Sequence, residues 1–251
     1  MTDTPKISVI TVVYNAEKSV EETICSVINQ TYPSVEYIII DGKSTDGTPD
    51  IIRKYEENIR YWESSSDRGI YDAMNKGIRE ASGEFICFLN SGDVFLDPEI
   101  LEKIFSKEYN EDILYGDTCV QFAWKLKLVR ARIASKKNEP MPFCHQSAFV
   151  RTSLMKEYRF DTNYRICADK DLFFKLHRKG ARYLYLDMPV SVVAANGYSV
   201  VNRYLHLKEL NRILLKNQII TPFQYSCNIM KSAITSVLIR TVKLLNPRKG
   251  K

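Results

Sequence analysis

Polar side chains able to do chemistry stand where apolar runs stop. Tyr14 and Asn15 follow ISVITVV, Asp41 follows VEYIII, Asn90 and Asp93 follow EFICFL, and Asp117 follows DILYG. Carboxylates and amides offer hydrogen-bond acceptors and hard oxygen ligands, and an aromatic ring can cover the face of a base. Apolar runs of four to eight residues read as strands buried on both faces. Ligands of such sheets bind at the carboxyl ends of the strands, so these side chains should converge on one crevice. That is the plan of a nucleotide-handling α/β enzyme. Gly42-Lys43-Ser44-Thr45 is no phosphate loop, because the upstream glycine of that motif falls on Tyr37.

The elements that must position these groups follow from the pattern. Strands are expected at 7–13, 35–40, 60–63, 84–89 and 112–116. Between them, Val20, Ile24, Val27 and Ile28 recur at helical spacing, as do Ile70, Met74, Ile78 and Ala81. A helix around Pro49–Glu57 takes Pro49 in its first turn, and Asp97-Pro98 reads as the N-cap and first residue of another, through Phe105. Connections too long for hairpins imply a mainly parallel sheet with helices on both faces. After about residue 119 the rhythm weakens. QFAWKLKLVRARI alternates like β-structure, KKNEPMP is a loop, RTSLMKEY and ADKDLFFKLHRKG are helical, and ARYLYLDMPVSVV reads as a strand pair. Beyond Tyr198 the pattern is helical.

With 251 residues and 45% hydrophobic content the chain can bury a core as one domain with an appendage. Its net charge of +6 is unevenly spread: residues 201–251 hold ten Lys/Arg against Glu209 alone, or +9, and the first 200 residues sum to −3. The tail and the body therefore face different partners. Six cysteines without a CxxC pair read as reduced core residues of a cytosolic protein. The N-terminus lacks a signal-peptide layout, and Lys231, Arg240 and Lys243 interrupt the apolar stretch Phe223 to Leu245, which argues against a membrane-spanning helix.

Three segments in order, PKISVITVVYNAEKSVEETICSVINQTYPSVEYIIIDGKSTDGT (5–48), SDRGIYDAMNKGIREASGEFICFLNSGD (66–93) and CADKDLFFKL (167–176), resemble the family 2 glycosyltransferases of the GT-A fold over roughly residues 5 to 200. The resemblance implies a Rossmann-like nucleotide-binding sheet and transfer of a sugar, with inversion, from a nucleoside-diphosphate donor, assisted by a divalent cation, Mn²⁺ or Mg²⁺. It implies a GT-A catalytic domain at 1–200, with a nucleotide-sugar half to about 118 and an acceptor half from about 119. A basic amphipathic helical tail fills 201–251.

Residue by residue, the resemblance places Tyr14 and Asp41 on the base and ribose. Many relatives have two consecutive acids at the second position, where this chain has Asp41-Gly42. It places Asp67 and Arg68 near the donor sugar or phosphates. The DxD-type run of relatives reads here Asn90-Ser91-Gly92-Asp93, leaving Asp93 as its one carboxylate and the expected metal ligand, with Asn90 beside the donor. Asp169, in Ala168-Asp169-Lys170-Asp171, matches the acid that takes the acceptor hydroxyl's proton. His145-Gln146 matches a segment lining the acceptor side. Each position also has a plainer reading: Tyr14 as a core aromatic, Asp41 as a turn former, Asp67-Arg68 as an exposed ion pair, Asp93 as a strand-end turn, Asp169 as a helix-start charge, His145 as a packed residue.

The resulting expectation is a membrane-associated transferase that extends a polysaccharide or lipid-linked glycan. It is cytoplasmic and peripheral on the inner face of the plasma membrane, where 201–251 meets anionic lipid; the plainer reading of 201–251, of equal weight, is a basic helical cap packed on the body. Nucleic acid is not an expected partner, since no recognition motif accompanies the charge. A sugar nucleotidyltransferase is the rival enzyme, though residues 7–20 lack its glycine-rich, lysine-bearing loop. A degenerate nucleotide-sugar-binding scaffold is the non-enzymatic alternative, for which the reduced Asn90–Asp93 run speaks.

Overall fold

The computed structural model describes residues 4–132, 141–195 and 197–232. It forms two compact units, Met1–Ala195 and Asn196–Lys251. In the first, strands β1 (Ile7–Val13), β2 (Val35–Asp41), β3 (Tyr61–Ser64) and β4 (Phe85–Phe88) alternate with helices α1 (Val20–Ile28), α2 (Thr48–Lys54) and α3 (Ile70–Glu80). Then come β5 (Val94–Phe95), α4 (Ile100–Phe105), β6 (Ile113–Phe122), β7 (Lys125–Val129), β8 (Ala148–Arg151), α5 (Thr152–Tyr158), α6 (Ala168–Arg178) and β9 (Tyr183–Ala194). All nine strands join one sheet in the order β3-β2-β1-β4-β8-β6-β9-β5, with β7 paired to β6.

The first four strands are mutually parallel, so their carboxyl ends share one edge. β8 runs antiparallel to both β4 and β6. β6 therefore points the same way as β4 and ends on that same edge.

The residues of β1 are buried throughout, as strands covered on both faces require. Alternate side chains go to opposite faces. Ile7, Val9, Tyr37, Ile39 and Phe85 pack with Val20 and Ile24 of α1, Ile52 of α2 and Leu101 and Phe105 of α4. On the other face α3 lies so near that a Cβ on Gly77 would fall 2.5 Å from Cγ2 of Ile10. All six cysteines are free thiols.

The structure corrects four local expectations. ARYLYLDMPVSVV is one long strand, β9, whose register against β6 shifts around Asp117. Asp117 itself lies inside β6, which continues to Phe122; its carboxylate accepts from the Tyr185 hydroxyl and the Ala131 amide, both at 2.8 Å. α4 starts at Ile100, because Asp97 uses its side chain on the Glu99 amide in a preceding turn. Along α3, Tyr71 is buried with Met74 and Ile78 while Ile70 is exposed, so the apolar stripe starts one residue later than read. KKNEPMP lies mostly outside the described residues.

In the second unit, α7 (Tyr198–Val201) and α8 (Arg203–Lys216) precede a helix at 222–232. That last helix opens with a reciprocal cap: Gln224 N–H donates to Thr221 Oγ1 at 3.2 Å, and Thr221 N–H to Gln224 Oε1 at 2.8 Å. Asn228 Nδ2 donates to Asn211 Oδ1 of α8 at 2.7 Å. Among the described residues no helix is long and apolar enough to cross a membrane. The expected tail beyond residue 232 lies outside them.

Candidate active site

Two groups of side chains stand on the shared carboxyl edge. The first is built by the loops after β1 and β2, which hydrogen-bond to each other. Asn15, at φ 47°, accepts the Thr45 amide on Oδ1 at 2.9 Å, and its own N–H donates to Ser44 Oγ at 2.7 Å. The Ala16 amide donates to Thr48 Oγ1 at 2.8 Å. Asp41, fully buried at the end of β2, accepts from the amide and hydroxyl of Ser44 and from the hydroxyl of Ser64. Its carboxylate thus fixes the loop that follows it. Tyr14 stands out from this platform, 65% exposed.

Asp67 comes in from the segment before α3. Its Oδ1 accepts the Gly69 amide at 2.8 Å, and its Oδ2 takes the space a side chain at Gly42 would need: a Cβ there would meet it at 2.6 Å and Tyr14 Cδ2 at 3.4 Å. The departure Asp41-Gly42 is therefore matched by a carboxylate from another segment. Arg68 is not part of this group. It is exposed, and both its backbone N–H and its guanidinium reach Asp72.

The second group starts with Asn90-Ser91-Gly92-Asp93. The Asp93 amide donates to the Asn90 carbonyl at 2.9 Å, closing a turn whose third residue, Gly92, has φ 92°. Glycine holds that conformation at no steric cost. The Gly92 amide donates to Thr23 Oγ1 at 2.9 Å, tying the turn to α1. Asp93 is buried, and its Oδ2 accepts Nε2 of Gln146 at 2.8 Å. Burial pushes its pKa up to about 6, against the lowering effect of the Gln146 hydrogen bond. Gln146 cannot turn away, because its Oε1 accepts the thiol of Cys144. Burial raises that thiol to about 12, which keeps the donor proton in place.

His145 links this turn to Asp169. Its Nε2 lies 3.3 Å from Asn90 Nδ2, and its Nδ1 lies 3.5 Å from Asp169 Oδ2. With the proton on Nδ1, the ring donates to Asp169 and accepts from Asn90. The amide oxygen of Asn90 is then buried without a hydrogen-bond partner, an open acceptor in the middle of the group. Asp169, in the first turn of α6, also accepts the Lys170 amide at 2.8 Å and lies 3.2 Å from the Tyr71 hydroxyl, which donates to the Ile166 carbonyl at 2.6 Å. Burial works to raise the Asp169 pKa. The hydrogen bond from His145, with the charge and amide of Lys170, outweighs it, and the carboxyl ends below its usual value. Asp171, two residues on, is buried and paired with Lys175 at 2.7 Å.

Asn90, Asp93, His145, Gln146 and Asp169 are thus brought together, as are Tyr14, Asp41 and Asp67. Ser44, Ser64, Cys144 and Tyr71 also belong to the site and were not singled out in the sequence. Ser44 had a signal, its place three residues after a strand-end Asp, where an Asx-type turn forms. Among the described residues no three His, Cys, Asp or Glu side chains converge to hold an ion by themselves.

Residues 8–159 match the family model described as glycosyl transferase family 2. An uncharacterized glycosyltransferase of Mycobacterium tuberculosis is 31% identical over 189 residues, covering 70% of each chain. The putative glycosyltransferase EpsE of Bacillus subtilis is 29% identical over 72% of this chain and 70% of its own length. A PGL/p-HBAD biosynthesis glycosyltransferase of Mycobacterium bovis is 29% identical over 72% of this chain and 75% of its own. Among solved structures, TarS 1–349 of S. aureus in complex with UDP-GlcNAc superposes with a TM-score of 0.67 at 19% identity, over 91% of this chain and 71% of that one. The mannosyltransferase PcManGT of Pyrobaculum calidifontis, in complex with GDP-Man and Mn²⁺, does so at 0.68 and 18%, over 99% and 82%.

Proposed function

The chain belongs to glycosyl transferase family 2, and from that premise we propose that it transfers a sugar, with inversion, from a nucleoside-diphosphate donor to a hydroxyl of a polysaccharide or lipid-linked glycan. The observation that carries this reading is the linked set Asn90–His145–Asp169 beside Asp93, on the edge where the nucleotide platform also ends. Relatives named for PGL/p-HBAD biosynthesis and solved neighbours in complex with UDP-GlcNAc or GDP-Man support the reading.

Tyr14 covers the base, while Asp41, held by Ser44 and Ser64, and Asp67 present carboxylate edges to the base and ribose. The donor's sugar then points toward Asn90 and Asp169. Asp169 takes the proton of the attacking hydroxyl, on the face opposite the departing diphosphate. Its lowered pKa keeps it ionised and ready to accept. Tyr71 and Lys170 hold one carboxylate oxygen and His145 approaches the other, so the base is oriented before substrate arrives.

The donor set suits a divalent cation. Asp93 supplies one carboxylate, ionised above about pH 6, and the unpartnered Asn90 Oδ1 a second hard oxygen. Such an ion, completed by the donor's phosphate oxygens, would neutralise the leaving diphosphate. PcManGT, with Mn²⁺ in its structure, supports this assignment.

The test is a thermal-shift screen of UDP-, GDP- and dTDP-sugars with and without Mn²⁺, followed by transfer assays on wild type and Asp169→Asn. Ligand-dependent stabilisation with transfer lost in the variant supports the reading. Stabilisation without turnover in wild type, donor hydrolysis included, would leave the binding scaffold instead. Residues 201–251 as an anionic-lipid contact, on the inner face of the membrane, remain part of the same proposal.

A further inference from the structure

Among the described residues, Gln121 to Arg130 form a continuous exposed segment. All ten residues are exposed, among them the large apolar Phe122, Trp124, Leu126, Leu128 and Val129. Trp124, in the turn between β6 and β7, is 95% exposed. The charges in the stretch are Lys125, Lys127 and Arg130, with no acid. Patches of this kind on a folded chain mark an interaction surface.

The fold fixes where the hairpin stands. Thr118 Oγ1 lies 2.7 Å from Ser147 Oγ, next to His145 and Gln146. From there β6 runs on past the sheet edge that carries the site. Five more residues at about 3.3 Å each put the turn roughly 15–20 Å beyond Thr118. The hairpin therefore projects from the rim of the crevice, on its acceptor side.

We propose that the β6–β7 hairpin docks on an anionic lipid surface, with Trp124 and its apolar neighbours in the interfacial layer and Lys125, Lys127 and Arg130 on lipid phosphates. Two arguments select lipid over a second copy of this chain. The bases complement an anionic surface, and Trp and Tyr side chains favour the membrane interface. A two-fold pairing of β7 edges would instead place lysines against lysines with no acid to answer them. Docking in this way would lay the crevice against the bilayer from which a lipid-linked acceptor is drawn. That last consequence rests on the acceptor class proposed above; the docking does not.

The chain's two tryptophans, Trp62 and Trp124, allow a direct test with full-length protein and vesicles of 30% phosphatidylglycerol in phosphatidylcholine. Tryptophan emission should shift to the blue on adding vesicles, and Trp124→Phe should abolish the shift. Lys125→Glu with Lys127→Glu should lower partitioning by at least about tenfold. These exposed substitutions should leave thermal stability and transfer to a soluble acceptor unchanged. Vesicle binding with unmoved Trp124 emission would assign lipid contact to residues 201–251 and overturn the proposal. So would variants that partition like wild type, or a Trp124 shift that follows protein concentration without lipid, which would mean a second copy. A wild type without transfer activity would sink the proposed function while leaving the docking result to stand.

Discussion

The proposed nucleotide platform and the group around Asp169 are held by different kinds of contact. The platform closes on short sequence separations: Asp41 to Ser64 spans 23 residues, Asn15 to Ser44 29, and Ala16 to Thr48 32. In the second group Asp93 to Gln146, Asn90 to His145 and Tyr71 to Asp169 span 53, 55 and 98. The platform is complete within β1–β3 and their loops, so it can form as one local unit. Asp169, the proposed base, and its partners meet only when β8 and α6 have joined the fold. The contrast teaches a division of labour: changes in the platform should act on donor affinity, and changes in the second group on the chemical step.

The sharpest test is Asp169→Asn, for which transfer should fall by about 10²–10⁴ with donor binding within a few-fold. Single-turnover assays beside calorimetry read both, and a loss of affinity equal to the loss of rate would break the division. Next is Asp93→Asn, which should remove the Mn²⁺-dependent part of donor binding. It carries a second, opposite effect. The folded chain holds the Asp93 proton more tightly than the unfolded chain, at about 6 against an ordinary 3.8. Its favourable contribution is therefore full below about pH 4 and is lost as pH rises through 6. Above pH 6 the Asn variant should be more stable than wild type by about 1–3 kcal/mol, as denaturant melts at pH 5 and pH 8 would show.

His145→Ala should have an intermediate effect. With its hydrogen bond gone, burial weighs more heavily on Asp169 and its pKa rises, so the acid limb of the pH–rate profile should move to higher pH. An unmoved limb would separate His145 from the base. In the platform, Gly42→Asp should displace Asp67 and weaken donor binding by about three- to tenfold, on the order of 1 kcal/mol, with the rate at saturation kept. Arg68→Ala, which removes only the exposed contact to Asp72, should change neither by more than about twofold.

The two regions also differ in how much the sequence reveals of them. β1, β2 and β4 are buried on both faces, so uninterrupted apolar runs mark them, and their polar ends mark the crevice. β9 breaks this rule. Asp187, at φ 48°, and Pro189 interrupt its run, and the register shift facing Asp117 absorbs the irregularity, so one strand reads as two. Asp169 is visible by its motif. Its coupling to Asn90 through His145 is not, because nothing in local spacing tells which helix start will face which strand end across an antiparallel crossover. Tyr71 is hidden for a similar reason, one residue off the stripe that Ile70 suggested.

Gly77 has a further consequence for anyone reshaping this pocket. It lets α3 lie against Ile10, and the first turn of that helix carries Tyr71, the strut against Asp169. The separation between helix and sheet is thus a hidden coordinate of Asp169, set almost two turns away from Tyr71 by the absence of a methyl group. Libraries that vary only pocket-lining residues leave that coordinate untouched. Enlarging residue 77 while trimming residue 10 would tilt α3 and carry Tyr71 with it, offering a way to retune where Asp169 stands without altering a single group of the proposed site.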